Sequence, residues 1–371
     1  MLVSEHRVVF GDARDVSLYA PESVDLVLTS PPYPMIGMWD GAFAELNPRI
    51  AEFLDLDPLQ AFETMHVELD RVWEHCAGAL KPGGFMAINI GDATRTLQDQ
   101  FRLFPNHARI IQSCMRLGLS PLPLILWRKQ TNAPNKFMGS GMLPAGAYVT
   151  LEHEYILIFR KGGKREFKSA ADKLRRQASA LFWEERNRWF SDVWLDLKGA
   201  RQDLDSGARD RSAAFPFELA YRLIHMFSVR GDRVLDPFLG TGTTTLAAVA
   251  SGRDSIGIER ETDFQATIRE RMLGSEQSLN DYIARRLGRH LEFVRERLEA
   301  GRPIKHENEY YGFPVITAQE KKLQLYKLES ISLNKQNFVG KYTKMIPEPS
   351  VPIRESEDPS SFSHKLKKQS W

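Results

Sequence analysis

The sequence predicts an α/β chain built on a mostly parallel sheet with helices on both faces. Three observations carry this. Short apolar runs rich in β-branched residues alternate with amphipathic helical stretches, a glycine turn joins one such run to a helix, and another run stops on consecutive prolines. Strands alternating with helices need crossover connections, and those crossovers cover both faces of a parallel sheet. With 371 residues, 42% apolar and 26% charged, the chain can bury a large core.

Arg7–Gly11 (RVVFG) and Val24–Thr29 (VDLVLT) read as buried strands. The second ends at Ser30-Pro31-Pro32, because prolines cannot donate ladder hydrogen bonds. Residues 34–56 read as a loop, with Pro34, Gly37, Gly41 and Pro48 among aromatics. A helix then starts with Asp57 as N-cap and Pro58 at its first position. Phe62, Met65, Leu69, Val72, Trp73, Cys76 and Leu80 recur at helical spacing until Lys81-Pro82-Gly83-Gly84. Phe85–Ile90 is the next strand, His107–Leu117 a helix closed by Gly118, and Leu122–Trp127 and Tyr155–Phe159 continue the alternation.

After Lys161 the rhythm breaks. Residues 161–211 are charged, carry Trp183, Trp189 and Trp194, and read as a small separate module or long insertion. The alternation resumes at Phe217–Phe227 (helix), Arg233–Leu235 (strand), Thr243–Ala250 (helix) and Ser255–Ile258 (strand). Leu279–Ala300 is a long charged helix with Ile283, Leu287, Leu291, Val294 and Leu298 on its apolar face. That face meets a second subunit, DNA or this protein's own sheet. The expected divisions are 1–160, 161–211, 212–274, a helical accessory extension over 275–345, and a tail over 346–371 with a disordered composition.

Several functional classes are excluded. No run approaches the ~18 apolar residues of a membrane span. Two cysteines, Cys76 and Cys114, support neither a disulfide framework nor a zinc cluster. Both lie on apolar helical faces and read as core residues, and His107 and His153 lack neighbouring ligands, so no metal site is expected. The start of the chain lacks the apolar core of a secretion signal, which together with the cysteine count predicts a reducing cytoplasm. A net charge of +2 says little, but residues 160–211 hold fourteen Lys/Arg against nine Asp/Glu. A local basic excess suits a polyanion, although it also describes an ordinary solvated surface.

Val234–Thr244 (VLDPFLGTGTT) reads as strand, glycine turn and helix start. Such a turn lets a ligand approach the backbone and meet the unpaired N–H groups of a helix N-terminus. Glu259, 23 residues after Asp236, ends the next strand, where a carboxylate can accept from two ribose hydroxyls. A dinucleotide site would prefer a third glycine where Thr245 stands, and a P-loop would need a lysine. A nucleoside without pyrophosphate fits the shorter loop, and a plain βα turn is the bland alternative.

Thr29-Ser30-Pro31-Pro32-Tyr33 ends its strand at the carboxyl side, where α/β sheets bind ligands. The prolines stiffen an array of acceptors beside an aromatic that they push outward. This arrangement suits a planar ring bearing an amino group, with Tyr33 stacking on the ring.

Thr29–Tyr33 (TSPPY) with Asp236–Thr244 (DPFLGTGTT) resembles the amino-methylating DNA methyltransferases. Catalytic segment first and glycine loop second is similar to their β class, a circular permutation of the Rossmann-like S-adenosylmethionine-dependent methyltransferase fold. Gly11-Asp12, Leu80–Gly84 (LKPGG), His153–Gly162, Ser191–Trp194 (SDVW), Ala214-Phe215-Pro216 and Gly257–Glu259 (GIE) match in order, over residues 7 to about 270. The resemblance implies S-adenosyl-L-methionine as cofactor. Asp236, Pro237, Phe238, Gly240, Thr241, Gly242 and Thr243 would line it, and Glu259 would hold the ribose. Asp12 would meet the adenine amine, and Phe215 and Pro216 the methionine end. Ser30, Pro31, Pro32 and Tyr33 would be catalytic. The basic insertion takes the place of a target-recognition region, with Lys161, Lys164, Arg165, Arg175, Arg176, Arg186 and Arg188 as DNA contacts. Double-stranded DNA would be the partner, with a homodimer and a functionally linked restriction endonuclease as further implications.

The chemistry implied is direct methyl transfer to an exocyclic nitrogen of a flipped-out base, without a covalent nucleophile. Serine at the first catalytic position resembles the cytosine-N4 enzymes more than the adenine-N6 enzymes, which generally carry Asp. A neutral serine can also donate, and so could address cytosine N3. Adenine-N6 methylation is the alternative, and a DNA-binding subunit with a vestigial cofactor site is the reading from another class. Methylation of RNA or of a protein amide is disfavoured by the motif order.

Overall fold

The computed structural model describes residues 2–129, 145–146, 148–198, 215–335 and 337–345. Its strands in chain order are β1 (Leu2–Phe10), β2 (Val24–Thr29), β3 (Leu80–Ile90), β4 (Ala93–Leu97), β5 (Gln100–Phe104), β6 (Leu119–Arg128) and β7 (His153–Lys161). They continue with β8 (Val193–Trp194), β9 (Arg233–Asp236), β10 (Asp254–Glu259), β11 (His306–Glu307), β12 (Pro314–Val315), β13 (Tyr326–Asn334) and β14 (Asn337–Lys344). Ten of them form one sheet in the order β13-β14-β1-β10-β9-β2-β3-β7-β6-β8. β1, β10, β9, β2 and β3 run parallel, while β7 is antiparallel to both of its neighbours.

The glycine-loop strand β9 lies at the centre of the sheet although it comes late in the chain. The permuted α/β order expected from the sequence is therefore present. β2 shows why the parallel strands read as unbroken apolar runs. Leu26 and Leu28 enter the core on one face, and Val27 enters the core on the other.

Helices cover both faces: α1 (Asp40–Leu46), α2 (Arg49–Leu56), α3 (Pro58–Ala79), α4 (Asn106–Arg116), α5 (Ala170–Ala178), α6 (Trp183–Trp189), α7 (Phe217–Phe227), α8 (Thr243–Ser251), α9 (Phe264–Leu273) and α10 (Glu276–Glu299). The Asp57 side chain caps α3, accepting from the Leu59 and Gln60 N–H groups. Phe62, Met65, Leu69, Val72, Trp73 and Cys76 are buried on one face of the sheet. α7 and α8 bury Leu219, Leu223, Leu246 and Val249 on the other. Cys76 and Cys114 are both buried, and burial pushes both thiols up, as suits core residues rather than nucleophiles.

Several expectations are corrected. Residues 34–56 are not a loop: they hold α1 and α2, whose Phe43 and Ile50 are buried. Residues 93–104 form the β4–β5 hairpin. Residues 161–198 are no separate module, since Trp189 and Trp194 lie in the main core and β8 pairs with β6.

The extension over 275–345 is not wholly helical, because β13 and β14 form a hairpin that extends the sheet beside β1. The apolar face of α10 is covered by this chain itself. Ile283 and Leu287 pack with Phe182, Phe313 and Leu325, whereas Leu298 is exposed. The expected tail, 346–371, lies outside the described residues.

Candidate active site

β9 and β2 end side by side at the carboxyl edge of the parallel strands. Thr29 Oγ1 donates to Asp236 Oδ1 at 2.6 Å, so the proline segment and the glycine loop are tied together at their roots. Thr244 Oγ1 (2.5 Å) and the Phe238 N–H (3.0 Å) also donate to the Asp236 carboxylate. Burial nevertheless pushes Asp236 up to about 6. Its work is internal: it holds the loop in shape.

A cavity of about 440 Å³ opens above this junction. Ser30, Pro31 and Pro32 line it together with Asp236, Pro237, Phe238, Gly240, Thr241 and Thr243, and Asp12, Phe215 and Glu259 also contribute to its wall. Sequence segments more than 200 residues apart thus share one space. Gly240 and Gly242 both take positive φ, 56° and 88°, in the turn that begins α8. An L side chain would be strained there.

Glu259 Oε2 accepts from the Gly240 N–H at 2.6 Å, and Oε1 from the Glu261 N–H at 2.8 Å. Each oxygen keeps further acceptor capacity for a ligand hydroxyl. Burial raises Glu259, opposed by those same backbone donors. Asp12 is held low by its bidentate pairing with Arg14, whose other guanidinium nitrogen reaches Glu68 Oε2 at 2.7 Å.

Three predicted residues are placed differently. Gly242 is absent from the cavity wall and serves the turn. Pro216 caps α7 without lining the cavity. Tyr33 does not project outward: it is buried, and a side chain added at Gly91 would meet its ring at 3.0 Å. Its hydroxyl lies 3.1 Å from Ser30 Oγ, 3.1 Å from Glu154 Oε2 and 2.8 Å from Asn89 Nδ2. Burial, reinforced by the Glu154 charge, pushes the phenol well above its ordinary value and keeps it protonated.

The basic insertion is divided by the sheet. β7 is antiparallel to β3, so its carboxyl end emerges at the amino edge, opposite the cavity. Lys161 donates there to the Leu80 carbonyl at 2.7 Å. Arg165 forms a two-pronged pair with Asp232 (2.6 and 2.9 Å), and Arg175 lies 3.8 Å from the same carboxylate. Each of these three thus faces an acceptor within the chain, at the edge away from the cavity. Lys164 and Arg176 are exposed, with the Arg176 guanidinium 5.0 Å over the Phe167 ring. Arg186 and Arg188 are exposed on α6, and Arg188 faces Asp196 just past β8. Arg14, Glu68, Asn89 and Glu154 were not picked out from the sequence, because the contacts that join Arg14 to Glu68 and Asn89 and Glu154 to Tyr33 span 54 to 121 positions along the chain.

The wound sheet and a nucleoside-sized cavity at its carboxyl edge define an S-adenosylmethionine-dependent methyltransferase. Residues 24–270 match the model of the N6/N4 DNA methylase family, and the chain belongs to that family. It is 51% identical over 324 residues to the Type II methyltransferase M.MthZI of Methanothermobacter thermautotrophicus, covering 86% of this chain and 90% of that one. It is 48% identical over 283 residues to the Type II methyltransferase M.MjaI of Methanocaldococcus jannaschii, covering 73% and 92%. Among solved structures, the DNA modification methylase TTHA0409 of Thermus thermophilus in complex with S-adenosyl-L-methionine is 34% identical, with a TM-score of 0.56 and coverage of 72% and 92%. The cofactor is S-adenosyl-L-methionine and the substrate is DNA. No helix among the described residues is long and apolar enough to cross a membrane.

Proposed function

We propose that this enzyme methylates the exocyclic N4 amine of cytosine in duplex DNA, as the modification partner in a Type II restriction–modification system. The observation that carries the reading is Ser30-Pro31 on the wall of the same cavity as the glycine loop. Two relatives named Type II methyltransferases, at 51% and 48% identity, support the biological setting. Serine at position 30, where the family's cytosine-N4 enzymes resemble this chain, supports the choice of base.

When bound, the cofactor supplies an electrophilic methyl group on a sulfonium. The residues of this chain do the rest. Glu259 would hold the ribose hydroxyls, Asp12 would receive the adenine amine, and Phe238 and Phe215 would lie beside the cofactor. Ser30 Oγ and the Pro31 carbonyl accept the two hydrogens of the target amine. That favours a pyramidal nitrogen with its lone pair directed into the cavity. Holding the reacting atoms about 3–3.5 Å apart contributes through proximity and orientation. A paired amine inside a duplex cannot reach this wall, so the base must be extruded. Arg186 and Arg188 contact DNA phosphates.

The test is nucleoside mass spectrometry of genomic DNA from cells expressing the wild type or Ser30→Ala. N4-methylcytosine in the first and not in the second is the expected result. N6-methyladenine in its place would overturn the choice of base, and equal methylation by both proteins would overturn the role of Ser30.

A further inference from the structure

We infer that Glu154 is a positioning residue that acts through Tyr33 to fix Ser30 as a hydrogen-bond acceptor toward the target amine. This rests on the role of Ser30 proposed above and adds to it a chain of side chains beneath the catalytic wall.

The hydrogens can be counted. Lys129 donates to Glu154 Oε1. The Asn89 amide spends both of its hydrogens, one on Tyr33 Oη at 2.8 Å and one on Glu154 Oε2 at 2.7 Å. The reverse orientation of Asn89 would set its oxygen against the carboxylate. A carboxylate paired with an ammonium only accepts, so the single Tyr33 hydrogen points to Glu154 Oε2, 3.1 Å away. Tyr33 Oη is therefore an acceptor toward Ser30 Oγ at 3.1 Å, and the Ser30 hydroxyl must donate to it.

The order of donation runs Ser30 to Tyr33 to Glu154. The lone pairs of Ser30 Oγ are left facing the cavity, where an amine hydrogen needs them. The Ser30 hydrogen is spent inside the protein, so it does not serve as the donor to cytosine N3 that serine's chemistry alone would allow. The carboxylate sets this direction without touching the substrate, and burial keeps its middle members out of competition with water: Asn89 is 1% exposed and Tyr33 8%.

Glu154→Gln keeps the shape and removes the acceptor that fixes the chain. Its amide oxygen stays with the Lys129 ammonium, so a nitrogen donor replaces the oxygen that accepted from Tyr33 and Asn89, and the Asn89 amide must turn over to meet it. The Tyr33 hydroxyl is then no longer held as an acceptor toward Ser30, whose own oxygen can be spent inside the protein. Steady-state methylation of duplex DNA would be measured for the wild type, Ser30→Ala, Glu154→Gln, Tyr33→Phe and Glu154→Gln/Tyr33→Phe, with cofactor affinity measured by calorimetry.

We expect Glu154→Gln to lower kcat by about tenfold or more while cofactor affinity stays within about twofold, as for a lost hydrogen bond made at the reacting group. The double variant should be no slower than Tyr33→Phe alone, because the effect of Glu154 travels through the phenol. A merely structural role would instead multiply the two losses. Wild-type kcat in Glu154→Gln, or multiplicative losses in the double variant, would overturn the inference while Ser30→Ala remains inactive. Should Glu154→Gln fail to fold, Tyr33→Phe, which removes the acceptor for the Ser30 hydrogen, must lower kcat to a similar extent with cofactor affinity within about twofold, and wild-type kcat in that variant would equally overturn the inference. An active Ser30→Ala would instead refute the role of Ser30 itself.

Discussion

The two edges of one sheet use charge in opposite ways. At the carboxyl edge, acidic groups sit around a cavity and keep acceptor capacity: Glu259 is held by two backbone N–H groups, and Asp12 is oriented by Arg14 in the cavity wall. At the amino edge, Asp25 and Asp232 are nearly fully buried and are satisfied by Lys81, Arg165 and Arg175. One edge is arranged to receive a ligand and the other is closed on itself. A basic run in a sequence therefore says nothing about nucleic acid until the edge on which it emerges is known.

The largest effect should come from the open edge. Glu259→Ala should weaken S-adenosyl-L-methionine binding by about a hundredfold or more, since two hydrogen bonds to a charged acceptor contribute about 1.5–3 kcal/mol each. Calorimetry checks this, and unchanged affinity would break the contrast between the edges. At the closed edge, Arg165→Met should lower unfolding free energy by about 2–3 kcal/mol, because it strands the buried Asp232 carboxylate. Denaturant titration measures that loss. The salt dependence of DNA binding should not change in this variant. Arg188→Gln should do the reverse, leaving stability within about 0.5 kcal/mol and reducing the salt slope by about one phosphate contact. A reduced slope in Arg165→Met would place DNA on the amino edge and reverse the comparison.

What was legible in the sequence was local. Thr29–Tyr33 and Asp236–Thr244 are each contiguous, and their backbone demands, prolines that end a strand and glycines at positive φ, follow from residue type. The cap at Asp57 and the burial of β2 as a continuous run were legible for the same reason. The fate of Lys161, Arg165 and Arg175 was not, because it depends on β7 running against β3, which no composition in 161–211 reveals. Nor was the burial of Tyr33. Two prolines direct a chain outward only if nothing lies there to meet it, and Glu154, 121 residues away, supplies the partner. The covered face of α10 was likewise set by Phe313 and Leu325, in a stretch with little periodic pattern.

The smallest effect belongs to the sheet between the two edges, where neither ligand nor counter-charge is at hand. His6 on β1 is fully buried between Ser4 and Ser255, which meet its two ring nitrogens at 2.7 and 2.9 Å. Burial alone depresses it to about 3, so the folded protein holds it neutral. The unfolded chain takes up its proton near pH 6.5. The contribution of His6 to stability is thus fully present above that value and is lost progressively as pH falls from about 6.5 toward 3. Between pH 7 and 5.5 the loss attributable to His6 is about 1 kcal/mol. Urea unfolding of the wild type and His6→Leu at both pH values isolates it, because the other titrating groups are common to the two proteins. The variant should lose less stability on acidification, whatever its absolute stability. Parallel pH dependence in the two proteins would mean that His6 can be protonated where it lies, and that the middle of the sheet is as open to charge as its carboxyl edge.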